Sequence, residues 1–428
     1  MSSWAAAVAS VESRLVSFVR FAIQKLDGAA ASLTDEDPED NYQELCAFAY
    51  GMSRSLKSTG SNASGPLKSA IREGLAKMWD IGPDQPGPDL RDHGVPGLRA
   101  ALEGLIQAGG PLGEAAGKQE EREAAEIAAA ESAPADNTKP ANIDSMSLQD
   151  AFTYLWDVLD KGNRLEWGQD GFTLDMQSKG RFNSVQDRCK KPLFDTMNKD
   201  HKFWSSRITK AFISLLDNYE RETGKAERVT STEKKEMDEF VEALCATDCM
   251  RFAFHYLKIH GKDKRAKRMR TINDFKNLIF DLWLAPYRRF KKNDSSGFEH
   301  VFVGEEKRGA IIGLHNWVQY YLEEAKGNIN YLGWAGKQDR DYSDDCNIVS
   351  VKFTWDDDDE DVEAKPISTI LCGSTVEVEF AMLTMTFLAG NQNGETECNL
   401  GNEKCKICCH PQRAMGGPKI GTAFIELA

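Results

Sequence analysis

The chain has 428 residues, 41% of them hydrophobic, which allows a packed core and two or three domains. Its formal net charge of −14 excludes a protein that coats nucleic acid by bulk charge, but not a nuclease with a locally basic cleft. No apolar run approaches the roughly 18 residues of a membrane span. The early WAAAVA run lacks a leading Lys or Arg and is followed by Glu12 and Arg14, unlike a secretory signal. The ten cysteines are therefore expected to be reduced thiols in the cytoplasm, with secretion as the alternative.

Residues 1–110 read as a helical N-terminal region. Leu15, Phe18, Val19, Ala22, Ile23 and Leu26 recur at helical spacing, as do Leu98, Leu102 and Leu105. The stretches SLKSTGSNASGP and DIGPDQPGPD between them signal loops. Residues 111–145 are rich in Ala and Glu and poor in large apolar side chains. Such a segment buries too little surface to offset its ordering entropy, so a linker is expected.

From residue 146 onward the composition turns aromatic and amphipathic. Phe152, Leu155, Trp156 and Leu159 fall on one helical face. Residues 258–270 carry seven Lys or Arg against one Asp, either a solvated loop or a contact for an RNA backbone. Tyr287 to Lys292, YRRFKK, mixes cations with rings, which suits a single strand that stacks its bases.

Ser295 to Trp317 is the organising stretch. His300 and His315 lie fifteen residues apart, and Glu299 and Glu305 flank the first. EHVFVGE reads as a short strand, with His300 facing opposite to Glu299 and Glu305. Asn316 is the expected N-cap of a helix carrying Trp317, Tyr320 and Tyr321, with Gly327 just past its end. His315 would sit at that helix start, where the dipole disfavours imidazolium and suits a general base.

The segment from Asp294 to His300, the pair Gly304–Glu305, and Gly313 to Trp317 resemble the hallmark of the EndoU (XendoU-like) family of poly(U)-specific endoribonucleases. The resemblance extends back to Asp160, Asn163 and Arg164 and to Leu215–Tyr219 with Gly224, segments that read as scaffold. It implies an α+β fold over residues 146–428, a helical subdomain followed by antiparallel sheets lining a catalytic cleft.

NIVSVKFTW alternates like a strand, and the acid run Asp356–Asp361 after it reads as a solvated insertion. In KPISTIL, Pro366 keeps Lys365 extended, and period two places Lys365 and Thr369 on one strand face. The resemblance makes Lys365 the third catalytic group and Thr369 the hydroxyl beside uridine. Farther on, Thr375–Val376–Glu377 stands where the family has Ser-Pro-Glu, and Phe424 replaces its closing tyrosine. A ring remains there for stacking without the hydroxyl.

Two imidazoles and an ammonium suffice to cut RNA through its own 2′-OH. A base takes that proton, an acid protonates the departing 5′-oxygen, and a cation steadies the charged phosphorane. His315 is expected as base and His300 as acid, with the exchanged assignment as the alternative. Glu299 and Glu305 would tune these imidazoles and contact substrate. By the resemblance they would also hold a divalent cation, manganese or calcium. Cys398, Cys405, Cys408 and His410 offer a zinc-type set, against free or bridged cysteines in a hairpin. The expected partner is single-stranded RNA. The competing function is an RNA-binding protein of this fold with weak or lost catalysis. A third is a metal-dependent hydrolase using Glu299, Glu305 and the acid run.

Overall fold

The computed structural model describes residues 95–107 and 138–428, without 182–185, 226–228, 337–347, 356–363 and 415, and isolated positions before 122. The acid run after Trp355, most of the expected linker and most of the N-terminal region lie outside the described residues.

Two compact units divide the chain: Met1–Pro134 with Arg413–Pro418, and Ala135–Gln412 with Lys419–Ala428. In the first, Val95–Ile106 is a helix that buries Leu102 and Leu105, in line with their spacing. Val19 and Ile23, from the earlier repeat, are also helical.

The second unit is α+β. Its chain is packed before residue 146: Thr138 and Ile143 are buried, and the His260 ring bonds to the Ile143 carbonyl. The Ala/Glu-rich composition upstream masked these few buried positions. Helix α1 (Leu148–Tyr154) opens with a Ser147–Asp150 capping box and continues as a π-helical turn, Leu155–Asp160. Strands β1 (Phe172–Leu174) and β2 (Phe194–Met197) pair antiparallel. Helices α2 (Lys202–Ser205), α3 (Arg207–Leu215), α4 (Ser231–Cys245), α5 (Asp248–His260), α6 (Lys264–Arg268) and α7 (Ile272–Ile279) follow. In the basic stretch, Arg265 is buried and pairs with Asp263 at 2.8 Å, so one of its cations holds the fold together.

Next come the hairpin β3 (Glu305–Lys307) and β4 (Ala310–Ile312), then helix α8 (Trp317–Lys326). Asn316 caps α8 by accepting from Val318 and Gln319 N–H, and Gly327 ends it in the left-handed region, both as expected. Strands β5 (Ile329–Trp334), β6 (Ile348–Trp355) and β7 (Lys365–Leu371) form one antiparallel sheet. Helix α9 (Val376–Ala389) buries every residue except Glu377, because it is apolar on all sides. Strands β8 (Gly394–Leu400), β9 (Glu403–Gln412) and β10 (Lys419–Leu427) form the second three-stranded sheet, with β10 also against β7. Between helices and sheets lies an aromatic core in which Phe302 stacks on Phe380 at 4.2 Å.

One expected element is of the other kind. Glu299–Val303 is a buried π-helical turn, and only Glu305–Lys307 is strand. The Glu299 N–H donates to Ser296 Oγ and the Ser296 N–H to Glu299 Oε2, which closes the turn from its start. All five residues are buried, so no alternation of faces remains to favour a strand.

Candidate active site

The site is assembled from three stretches: the loop and turn through Tyr287–His315, the start of β7, and β10. Asp294 anchors the first. Its carboxylate accepts the backbone N–H groups of Arg289, Phe290 and Lys291 at 2.7–2.9 Å. Arg289 then points inward. It donates to Ser295 Oγ, Tyr287 OH and the Gly421 carbonyl, and its Nε lies 3.4 Å from Glu305 Oε2.

His300 and Glu305 meet directly, Nδ1 to Oε2 at 2.5 Å, so the strand reading that set them on opposite faces is overturned. The carboxylate fixes Nδ1–H as donor and directs Nε2 outward. His300 is only 8% exposed. Burial pushes its pKa below the usual histidine value, with Arg289 and Lys365 adding to the shift and Glu305 opposing it.

His315 is held by its backbone N–H on the Val301 carbonyl at 2.7 Å. Its Nδ1 lies 3.4 Å from the Thr369 carbonyl and from Ser368 Oγ, and Ser368 itself donates to the Leu314 carbonyl. Those partners make Nδ1 the protonated nitrogen and leave the Nε2 lone pair free. Burial first, then the charges of Lys365 and His300, hold this ring well below the ordinary histidine pKa. The sequence-based expectation of a neutral His315 agrees in direction, although burial dominates. Lys365 opens β7 with 8% exposure, and burial lowers its pKa to about 8. The three groups thus lie within electrostatic reach of one another: Lys365 acts on both imidazoles and His300 on His315.

Thr369 and Phe424 line one small hollow with His315 and Val301, while His300 and Lys365 lie outside that lining. Phe424 stacks on His315, ring centroids 4.6 Å apart and planes at 15°. Thr369 Oγ1 shares a hydrogen bond with Ser350 Oγ at 3.1 Å.

Sequence reasoning missed three supports. Arg289 was counted among cations for RNA, and nothing local separates it from Arg288. Ser368 sits one residue from Thr369 with no motif of its own. Glu379, raised to about 8 by burial, accepts from Ser374 Oγ and lies 3.4 Å from the cap residue Asn316, so it steadies the helix start beside His315.

Gly313 carries a further constraint. Its φ is +69°, and a Cβ there would come within 1.9 Å of the His300 carbonyl oxygen. Gly313→Ala is expected to lower stability by well over about 1 kcal/mol and to displace His300. Thermal unfolding beside an RNA-cleavage assay checks both effects.

The model of the family described as endoribonuclease XendoU matches residues 147–425. This chain belongs to the XendoU family. Over 290 residues it is 38% identical to the poly(U)-specific endoribonuclease-B of Xenopus laevis, covering 65% of this chain and 93% of that protein. It is 36% identical over 293 residues to the uridylate-specific endoribonuclease C of Danio rerio, covering 66% and 89%. The solved structure of XendoU, titled a splicing independent snoRNA processing endoribonuclease, aligns with TM-score 0.53 at 36% identity. That alignment covers 66% of this chain and 97% of the other.

XendoU-family membership is consistent with a divalent cation, but Glu299 and Glu305 do not fit one. Both carboxylates are completely buried, one oxygen of each is engaged by protein donors, and the Arg289 guanidinium already lies beside Glu305. Glu299 Oε1 and Glu305 Oε1 are both buried without a hydrogen bond, which is two donor oxygens and still not a coordination shell for a hard cation. The zinc-type set fails on geometry. Cys398 and Cys405 are cross-strand partners on one face of the hairpin, whereas Cys408 and His410 alternate to the other. Among the described residues, the only group with convergent ligand atoms is Glu395, Cys408 and Glu426. There Lys406 already binds both carboxylates, at 2.8 and 3.0 Å, and burial pushes the Cys408 thiol up to about 12. No helix among the described residues is long and apolar enough to cross a membrane.

Proposed function

We propose that this protein is an endoribonuclease that cleaves single-stranded RNA at uridylates by transesterification, leaving 2′,3′-cyclic phosphate and 5′-hydroxyl ends. The observation that carries this reading is the opposite setting of two imidazoles beside one buried ammonium. His315, with Nδ1 bound to the Thr369 carbonyl and a strongly lowered pKa, stays neutral and presents an unprotonated Nε2 that takes the 2′-OH proton. His300, with Glu305 on Nδ1, is the better stabilised imidazolium and delivers a proton to the 5′-oxygen as the P–O bond breaks. Lys365 supplies the charge that meets the extra negative charge on the phosphorane oxygens. No metal enters any of these steps.

The uridylate preference is supported by the relatives, which are named poly(U)-specific and uridylate-specific endoribonucleases. The test is an RNA with one uridine and its twin with 2′-deoxyuridine at that position. Cleavage of the first alone, with a cyclic-phosphate terminus and unaffected by chelator, is the expected result. Cutting of the deoxy twin would remove the 2′-OH mechanism.

A further inference from the structure

Phe290 is 41% exposed, on a loop whose backbone is otherwise fixed. The three hydrogen bonds from the Arg289, Phe290 and Lys291 N–H groups to Asp294 leave that loop little freedom. From the adjacent hairpin, Lys307 places its ammonium 4.2 Å from the centre of the Phe290 ring. Arg288, Lys291 and Lys292 on the loop and Arg308 at the hairpin turn are all exposed. Two acids of these segments are already engaged: Asp294 with the loop backbone, and Glu306 within 3.6 Å of Arg221.

A single exposed apolar side chain is ordinary. This one differs in two respects. It stands among cations on a chain of net charge −14, and its neighbour in sequence, Arg289, bears on the Glu305 that holds His300. We propose that Phe290 is a stacking platform for a base of the RNA strand flanking the cleaved linkage, with Lys307 and the surrounding cations receiving the adjoining phosphates. The proposal rests on the endoribonuclease reading and extends it from the scissile phosphate to the strand. An acidic peptide would be satisfied by the cations alone, whereas a single strand offers phosphates and π-faces in alternation.

The test is fluorescence polarisation with an RNA of roughly 12 nucleotides whose lone uridine is 2′-deoxy, so that it binds without being cut. An abasic oligomer of the same length serves beside it. Phe290→Ala and Phe290→Leu are expected to weaken binding of the RNA about tenfold, with Phe290→Trp near the original affinity and the abasic oligomer unaffected. Lys307→Ala is expected to lower the slope of log affinity against log salt by about one. Equal RNA binding by Phe290→Ala, or the same loss on the abasic oligomer, overturns the platform. The measurement is independent of catalysis. Phe290-dependent binding by a protein that cuts no RNA would keep the platform and remove the nuclease reading. Cutting with Phe290-independent binding would do the reverse.

Discussion

His315→Ala and His300→Ala are each expected to lower the cleavage rate about 10²- to 10⁴-fold, and the two losses should be separable by the leaving group. If the 5′-bridging oxygen of the substrate is replaced by sulfur, the departing thiolate is stable enough to leave unprotonated. The acid then becomes dispensable and the base does not. His300→Ala should recover much of its lost rate on that substrate, and His315→Ala should recover almost none. The reason lies in the two ring settings. Glu305 at 2.5 Å favours a charged His300, whereas His315 faces a carbonyl oxygen and the Lys365 charge. Recovery by His315→Ala instead would exchange the roles, and equal recovery would remove both assignments.

Lys365→Met should combine loss of activity with a gain in stability. The ammonium is needed at the phosphorane, so the rate should fall on the order of 10²-fold. Burial lowers its pKa in the fold to about 8 from the ordinary lysine value of 10.5. Between those values the unfolded chain holds a proton that the native state has released, so stability rises with pH across that window. Below pH 8 the native state carries a buried charge that it would be more stable without. Melting curves at pH 7 should therefore place Lys365→Met above the parent, with the difference shrinking toward pH 10. Catalysis runs the other way, since cleavage by the parent should decline as pH rises through about 8 and Lys365 discharges. A Lys365→Met protein that melts lower at pH 7, or a parent rate flat across pH 8, would separate this lysine from the role given to it.

Much of the site was legible because its motifs specify local structure. Asn316 and Gly327 bound α8, and Pro366 with the following β-branched run set Lys365 and Thr369 on β7. The error at Glu299–Val303 came from weighing Val301, Phe302 and Val303 by strand preference, when the Ser296–Glu299 exchange and all-round burial decide for a helical turn. The zinc reading failed because spacing along β9 ignored the alternation of its faces. Arg289, Ser368 and Glu379 could not be read because the partners that tie them to the site, Glu305, Gly421, His315 and Asn316, lie 16 to 132 residues away. Only tertiary contact distinguishes Arg289, inside the cleft, from Arg288, on the surface.

The bond from Arg289 to the Gly421 carbonyl spans 132 residues, and the same guanidinium bears on the carboxylate that holds His300. Contacts of such separation form late, because the loop-closure entropy falls due before they return anything. A chain that has not yet placed Gly421 lacks the anchor that holds Arg289 beside Glu305 and, through it, His300. Competence to cut thus belongs to the completed topology and to no portion of it.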